Sequence, residues 1–110
     1  MDKVNEKKTD IGKLKNGIYL KGIPISNSAR VGTKKDGTAF VSVKHELSID
    51  PGVAILDRFI DPAQDNSVRI EGNEVKTYPE LKKFEPVTVR IGRFREYNHQ
   101  FHASDWEIVG

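Results

Sequence analysis

Phe40 is an aromatic residue on what alternation predicts to be the polar face of a β-strand. Ser42 and Lys44 share that face, and Lys34 and Lys35 precede it in a predicted turn. A ring exposed among lysines can stack on a nucleobase while the ammonium groups bind phosphates. The alternative interpretation is that a second layer of the fold buries this ring in the core.

A second cluster, residues 90–99, alternates arginine with aromatic residues. Arginine supplies both positive charge and a plane for stacking, so this composition is typical of surfaces that bind single-stranded nucleic acid. Strict alternation places Phe94 on the polar face, whereas a bulge at Gly92 would return it to the apolar face. The alternative interpretation is a small hydrophobic cluster with solvated arginines. The candidate side chains are Arg90, Arg93, Phe94, Arg95, Tyr97 and His99.

The charges are segregated along the chain, although the formal net charge of the 110 residues is only +2. Residues 13–44 carry seven basic side chains against Asp36 alone, and residues 76–104 carry six against three acidic ones. Residues 45–75 carry seven acidic side chains against two basic ones. If the two basic segments come together, they form a face that attracts polyanions, with the acidic segment turned elsewhere. The alternative is ordinary charge scatter on a solvated surface.

Catalytic and metal-binding motifs are not found in the sequence. It contains no HExxH, Walker A or GxSxG pattern, and it has no cysteine for a disulfide or a thiolate site. His99 and His102 are three residues apart on a predicted hairpin, which is a poor geometry for metal ligands. His45 lies on an apolar face, as expected of a hydrogen-bonded core residue. We therefore predict no enzyme activity, no metal site and no cofactor.

The length suits one domain, predicted to span residues 17–110 behind a flexible charged tail of residues 1–16. No apolar run is long enough to span a membrane and no signal peptide is apparent, so we predict a cytoplasmic protein without a membrane partner. Five to seven short strands and the absence of a long helical pattern predict an all-β fold, a small Greek-key β-barrel with elaborated hairpins. The predicted elements are strand 18–23 ended or bent by Pro24, hairpin 29–49, strand 53–60, hairpin 68–78 and one helical turn at 79–84. A further strand begins at residue 88, a polar turn follows at 97–100, and the last strand is 101–109.

Two segments match the sequence pattern of a known family. Residues 30–42 are similar to a basic hairpin of the form R…(R/K)xGxx(Y/F)xS, and residues 88–94 begin an ending of the form TVxLxxF…D…LV that continues through Asp105 to Ile108-Val109. These patterns resemble the OB-fold single-stranded-DNA-binding proteins of filamentous phages, the gene V protein type. The chain's size and its HASDWEIV end also resemble small OB-like helicase-accessory proteins of integrative conjugative elements.

The resemblance implies an OB-like barrel and a homodimer that coats single-stranded DNA without sequence preference. That DNA would belong to phage or mobile-element replication or transfer, and a helicase or another replication protein would be a partner. On the matching positions, Arg30 and Lys35 would contact phosphates, Phe40 would stack a base, and Tyr97 or His99 would add a contact at a hairpin tip. Residues 53–78 match no part of the family pattern.

Two hypotheses for function follow. The first is binding of single-stranded DNA, with RNA left open, because stacking and charge do not read the 2′-hydroxyl. The second is a protein-interaction or accessory subunit of a phage or conjugation complex that docks through residues 45–75. Exposure of Phe40 and Phe94 on one basic face favours the first, and burial of both favours the second. The candidate nucleic-acid-binding residues are Arg30, Lys34, Lys35, Phe40, Lys44, Arg90, Arg93, Phe94, Arg95, Tyr97 and His99.

Overall fold

The structure is a computed structural model that describes residues 16–50 and 52–110. Within these residues the chain forms seven β-strands and no helix, so none of its elements is a helix that could cross a membrane. The predicted all-β class is confirmed, whereas the predicted tail lies outside the described residues except for position 16. The strands are β1 (Ile18–Thr33), β2 (Ala39–Ser48), β3 (Val53–Ile60), β4 (Arg69–Glu71), β5 (Glu74–Thr77), β6 (Val87–Tyr97) and β7 (Gln100–Ile108).

Five of the strands form one sheet whose hydrogen-bonded order, β1-β2-β3-β7-β6, returns to β1. Neighbouring strands in this ring are antiparallel, except that β3 and β7 run parallel where residues 54–56 meet residues 101–103. The remaining strands, β4 and β5, pair with each other as a separate hairpin. The predicted hairpin at 68–78 is thereby confirmed.

β1 closes the ring because two successive stretches of this one long strand pair with different neighbours. Its residues 18–22 pair with β6, and its residues 23–33 pair with β2. The change of partner coincides with an irregularity in register between Pro24 and Ser26. Proline has no N–H to donate to a ladder and is tolerated at bulges, so the predicted bend occurs here while the strand continues to Thr33.

The core lies inside the ring and follows the predicted alternation of β2. Val41, Val43, His45 and Leu47 are buried, whereas the residues between them face outward or lie at the surface. The core consists of two clusters of buried side chains. The first contains Leu47, Leu56, Val89, Ile91, Ala103 and Trp106, and the second contains Val41, Val43, Ile60 and Val68.

His45 is a buried polar residue that stands on β2 between the two clusters, and its side chain is hydrogen-bonded. Asn27 Nδ2 donates to the Leu81 carbonyl, and Asn27 Oδ1 accepts from the Leu81 N–H, each at 3.0 Å. Because Oδ1 is thus the acceptor, His45 Nδ1 carries a proton and donates to it over 2.6 Å. The imidazole also meets the Trp106 ring edge-on, with the ring centroids 5.5 Å apart. The expectation of a hydrogen-bonded core histidine is confirmed.

The helical turn predicted for residues 79–84 is wrong. Leu81 gives both its backbone N–H and its carbonyl to the Asn27 side chain, and Phe84 donates its N–H to the Pro24 carbonyl over 2.8 Å. A helical turn would use the Leu81 carbonyl and the Phe84 N–H within the segment, whereas both groups bind β1 here. The Leu81 N–H, which a turn beginning at Pro79 would leave without a partner, also binds β1. Phe84 has a φ of 68°, a left-handed conformation that is unusual for a bulky residue.

The buried imidazole makes stability depend on pH. Burial, reinforced by the Arg58 charge and opposed by Asp57, lowers the pKa of His45 from 6.5 to about 4. The unfolded chain therefore takes up a proton as pH falls from about 6.5 towards about 4, and the folded protein does not, so stability is lost in that window. We expect a loss of about 2 kcal/mol between about pH 7 and about pH 5, measured by urea unfolding.

The matched variants His45→Gln and His99→Gln test the source of this loss. His45→Gln is expected to abolish most of the pH dependence, even if it lowers stability at neutral pH. His99→Gln, in an exposed turn, is expected to retain it. Equal pH dependence in wild type and His45→Gln would contradict the assignment.

Candidate nucleic-acid interface

A groove of about 410 Å³ lies on the outer face of the sheet, and all five strands of the ring contribute to it. Its cations come from three strands: Arg30 from β1, Lys44 from β2 and Arg95 from β6. Strand register explains how they meet, because Arg30 lies opposite Ser42, and Lys44 lies between Ser28 on one side and Asp57 on the other. The groove is also lined by Ser28, Ser42, Asp57, Phe59, Tyr97 and His102.

Two phenylalanine rings extend the groove towards the turn between β1 and β2. Phe40 and Phe59 meet edge-to-face with their ring centroids 5.5 Å apart, and the Phe59 side chain is 69% exposed. Both line a shallow depression of about 300 Å³, together with Lys34, Ile60 and Asp61. Phe59 belongs to the groove and to the depression, so the two form one continuous surface.

The Phe40 ring lies against a glycine on the neighbouring strand, which leaves room for it. Gly32 lies directly opposite Phe40, and a Cβ atom at position 32 would collide with the phenyl ring. Only a residue without a side chain allows the ring to lie across β1 in this way. Phe40 is therefore partly buried, with its ring against Gly32 and Phe59, so it is neither fully exposed nor buried in the core.

The predicted turn that carries Lys34 and Lys35 joins β1 to β2, and Gly37 is its one residue with a positive φ. Gly37 has a φ of 88°, and the Lys34 N–H donates to the Thr38 carbonyl over 2.8 Å. Asp36 Oδ1 accepts from the hydroxyl and the N–H of Thr38, and these bonds hold the pKa of the Asp36 carboxyl below its usual value. Lys34 points to the depression, whereas Lys35 lies at the exposed tip.

The hairpin of β6 and β7 places its aromatic residues on two different faces. The register shifts on both sides of Arg93, so the bulge considered at Gly92 is present. It puts Phe94 opposite the buried Ala103 and against Phe101, with the two rings stacked at 5.3 Å, and strict alternation is wrong for Phe94. Phe94 is 49% exposed but lies on the opposite face of the hairpin from Arg95 and does not line the groove. The expected exposure of Phe40 and Phe94 on one basic face is therefore not found.

Tyr97 lies on the groove side of the same hairpin. Its side chain is 55% exposed, and the Arg95 guanidinium carbon lies 5.4 Å from the centre of its ring. The Tyr97 ring also meets the ring of His102 on β7 edge-on, with the ring centroids 5.8 Å apart. Tyr97 therefore offers one more aromatic surface beside the cations of the groove.

Arg90, Arg93 and His99, like Phe94, lie outside the groove. Arg90 faces the start of β1, where its guanidinium is 3.8 Å from the Glu107 carboxylate, and Arg93 lies opposite Asp105. His99 occupies the tight turn of the β6–β7 hairpin with a φ of 62°. The structure brings together Arg30, Lys34, Phe40, Lys44, Arg95 and Tyr97, and it places Lys35 and His99 at the tips of the two hairpins.

Part of the acidic segment lies in the basic face rather than away from it, contrary to the expectation from charge segregation. Asp57 lines the groove, and Asp61 lies 3.7 Å from the Lys34 ammonium. Asp57 Oδ2 is also 3.4 Å from Nδ1 of His102. Antiparallel pairing of β3 with β2 forces this placement, because it sets Asp57 directly beside Lys44.

Sequence reasoning missed Phe59, Asp57 and His102. Alternation along β3 puts Phe59 on the polar face with Asp57, so the criterion that selected Phe40 would also have selected Phe59. His102 carries no comparable signal, because its place in the groove depends on pairing with Arg95 on β6 and with β3.

We expect Gly32→Ala to displace the Phe40 ring from its contact with Phe59. Overpacking at this position should lower the free energy of unfolding by about 1–3 kcal/mol. Urea unfolding measures the loss, and the aromatic proton shifts of Phe40 and Phe59 report the ring displacement. Thr33→Ala, at the exposed next position of the strand, is the matched control and should leave both unchanged. Wild-type shifts and stability in Gly32→Ala would contradict the proposed contact.

Within residues 16–50 and 52–110, no three His, Asp or Glu side chains are arranged to hold a metal ion. Comparisons with family models, with curated proteins and with solved structures find no match to this chain. What the groove can bind therefore follows from its own side chains: separated cations that suit phosphates, and exposed rings between them that suit flat heterocycles.

Proposed function

We propose that this protein binds single-stranded DNA without sequence preference along the groove on the outer face of the sheet. The observation that carries the proposal is that Arg30, Lys44 and Arg95 share one groove with the exposed rings of Phe59 and Tyr97. The cations would neutralise phosphates, and the rings would stack on bases. Every base has a flat face, so binding of this kind is tolerant of sequence.

The shape of the surface favours a single strand over a duplex. Stacking on Phe59 and Tyr97 requires bases whose faces are free, and in a duplex those faces are stacked on neighbouring base pairs. A flexible strand can also follow the groove from Arg95 past Lys44 to the depression beside Lys34. The groove and the depression together place four cationic side chains along this path, with aromatic rings among them.

The arrangement of the strands supports an OB-like barrel as the framework of this site. In OB-folds, oligonucleotides bind to the face formed by the second and third barrel strands and to the loops after the first and fourth. The groove here lies on β2 and β3 and is flanked by the β1–β2 and β6–β7 turns. The resemblance of residues 30–42 and 88–94 to phage proteins of this kind favours DNA of a phage or mobile element as the natural strand.

Fluorescence anisotropy with labelled oligo-dT tests the proposal. Phe59→Ala and Phe40→Ala should each weaken binding by about 1–3 kcal/mol, because each removes a stacking surface. Phe84→Ala is the matched control, since Phe84 is 72% exposed but lies outside the groove. A duplex of the same length should bind more weakly. If no oligonucleotide binds at low salt, the proposal is wrong, and residues 45–75 become the surface to test for protein partners.

Salt dependence tests the phosphate contacts separately. Four neutralised phosphates predict a slope of log affinity against log salt near −3, at about −0.7 per contact. Arg95→Glu should lower the magnitude of the slope by about 0.7 or more, whereas Lys83→Glu, at an exposed position outside the groove, should not. Affinity that does not change with salt would refute phosphate binding.

A further inference from the structure

His102 is a groove residue whose polar atoms are incompletely satisfied. Its side chain is only 14% exposed, and Nδ1 lies 3.4 Å from Oδ2 of Asp57. The other ring nitrogen, Nε2, is shielded from solvent and has no hydrogen-bond partner among the described residues. A buried nitrogen without a partner is unfavourable, so a state of the protein in which it gains one is favoured.

The charges around His102 decide what that partner can be. Asp57 faces it from β3, Arg95 and Tyr97 from β6, and Lys44 and Arg30 line the same groove from β2 and β1. Three cations against one carboxylate leave the groove positive when the imidazole is neutral, and a protonated imidazole adds one more positive charge. An imidazolium donates from both nitrogens, so Nδ1–H can stay on Asp57 while Nε2–H binds an anion.

The other two histidines do not compete for this role. His45 remains neutral well below neutral pH, because burial lowers its pKa to about 4, and its Nδ1 is bound to Asn27. His99 lies in the β6–β7 turn and does not line the groove. Of the three histidines, His102 is the one that lines the groove, and histidine is the side-chain type that changes charge between about pH 5 and about pH 8.

We infer that His102 is a phosphate ligand of the groove that acts when it is protonated. Tyr97, whose ring packs edge-on against the imidazole, would turn to stack on a base, and Nε2–H would then donate to a phosphate oxygen. The proton comes from solvent and is taken up with the strand. The inference rests on the proposed binding of single-stranded DNA and adds a regulation of the same site, namely tighter binding at acidic pH.

The test is the salt dependence of oligo-dT binding at about pH 5.5 and about pH 8, because histidine changes charge between them. Thymine and the phosphodiester do not titrate between these values, so a change comes from the protein. In wild type, acidification should tighten binding about tenfold and increase the magnitude of the salt slope by about 0.7, which corresponds to one further phosphate contact. Circular dichroism at both pH values confirms that the protein stays folded.

Two variants assign the effect to one residue. His102→Gln keeps an amide that can donate to Asp57 but cannot become charged, so it should bind with the same slope at both pH values. His99→Gln should retain the wild-type gain. The inference is overturned if wild type shows no gain, if His102→Gln keeps it, or if His99→Gln loses it. Absence of binding by wild type at both pH values would instead overturn the proposed function, and this inference with it.

Discussion

The Asn27 carboxamide makes the three hydrogen bonds on which the rest of the structure depends. Its Oδ1 accepts from His45 Nδ1–H and from the Leu81 N–H, and its Nδ2 donates to the Leu81 carbonyl. Asn27 lies just after the bulge where β1 leaves β6 and follows β2, so these bonds fasten the bend of the ring to its core and to the segment before β6. Leu81 in turn packs on the core cluster that contains Trp106. A side chain that satisfied only one of these partners would leave buried polar groups unpaired.

Beyond that bend, β1 and β2 continue as a hairpin with one side facing the core and the outer side facing solvent. On the core-facing side, Val41 and Val43 pack on Ile60 and Val68, and the β4–β5 hairpin covers this cluster. The outer side carries the groove, so Lys44 and Phe59 stand on strands whose opposite face packs in the core, whereas Arg95 and Tyr97 stand on an exposed stretch of β6. Sites supported in this way hold their side chains more closely than sites on free loops. The Phe40 ring occupies the space that a side chain at position 32 would fill, so it lies directly against the backbone of Gly32.

Local patterns were sufficient to predict much of the fold, and they failed where partners are distant in sequence. The alternation of β2 and the turn between residues 33 and 39 depend on neighbouring residues and are confirmed. The helical turn at 79–84 was wrong because Asn27, more than fifty residues away, binds the backbone that a helix would use. Phe94 and His102 were misplaced or missed for the same reason, since a bulge and a strand register set the faces that they occupy.

Asp57 is the residue that most shapes the electrostatics of the groove. Its backbone carbonyl accepts the Trp106 indole N–H over 2.9 Å, so its position is fixed by the core. Its carboxylate offsets one of the three cations and holds His102. A groove of modest charge gains less from counterion release and depends more on stacking, and stacking is less sensitive to salt. Phe59 and Tyr97 would therefore carry a growing share of the affinity as salt rises, and release of a strand would be limited by unstacking rather than by charge.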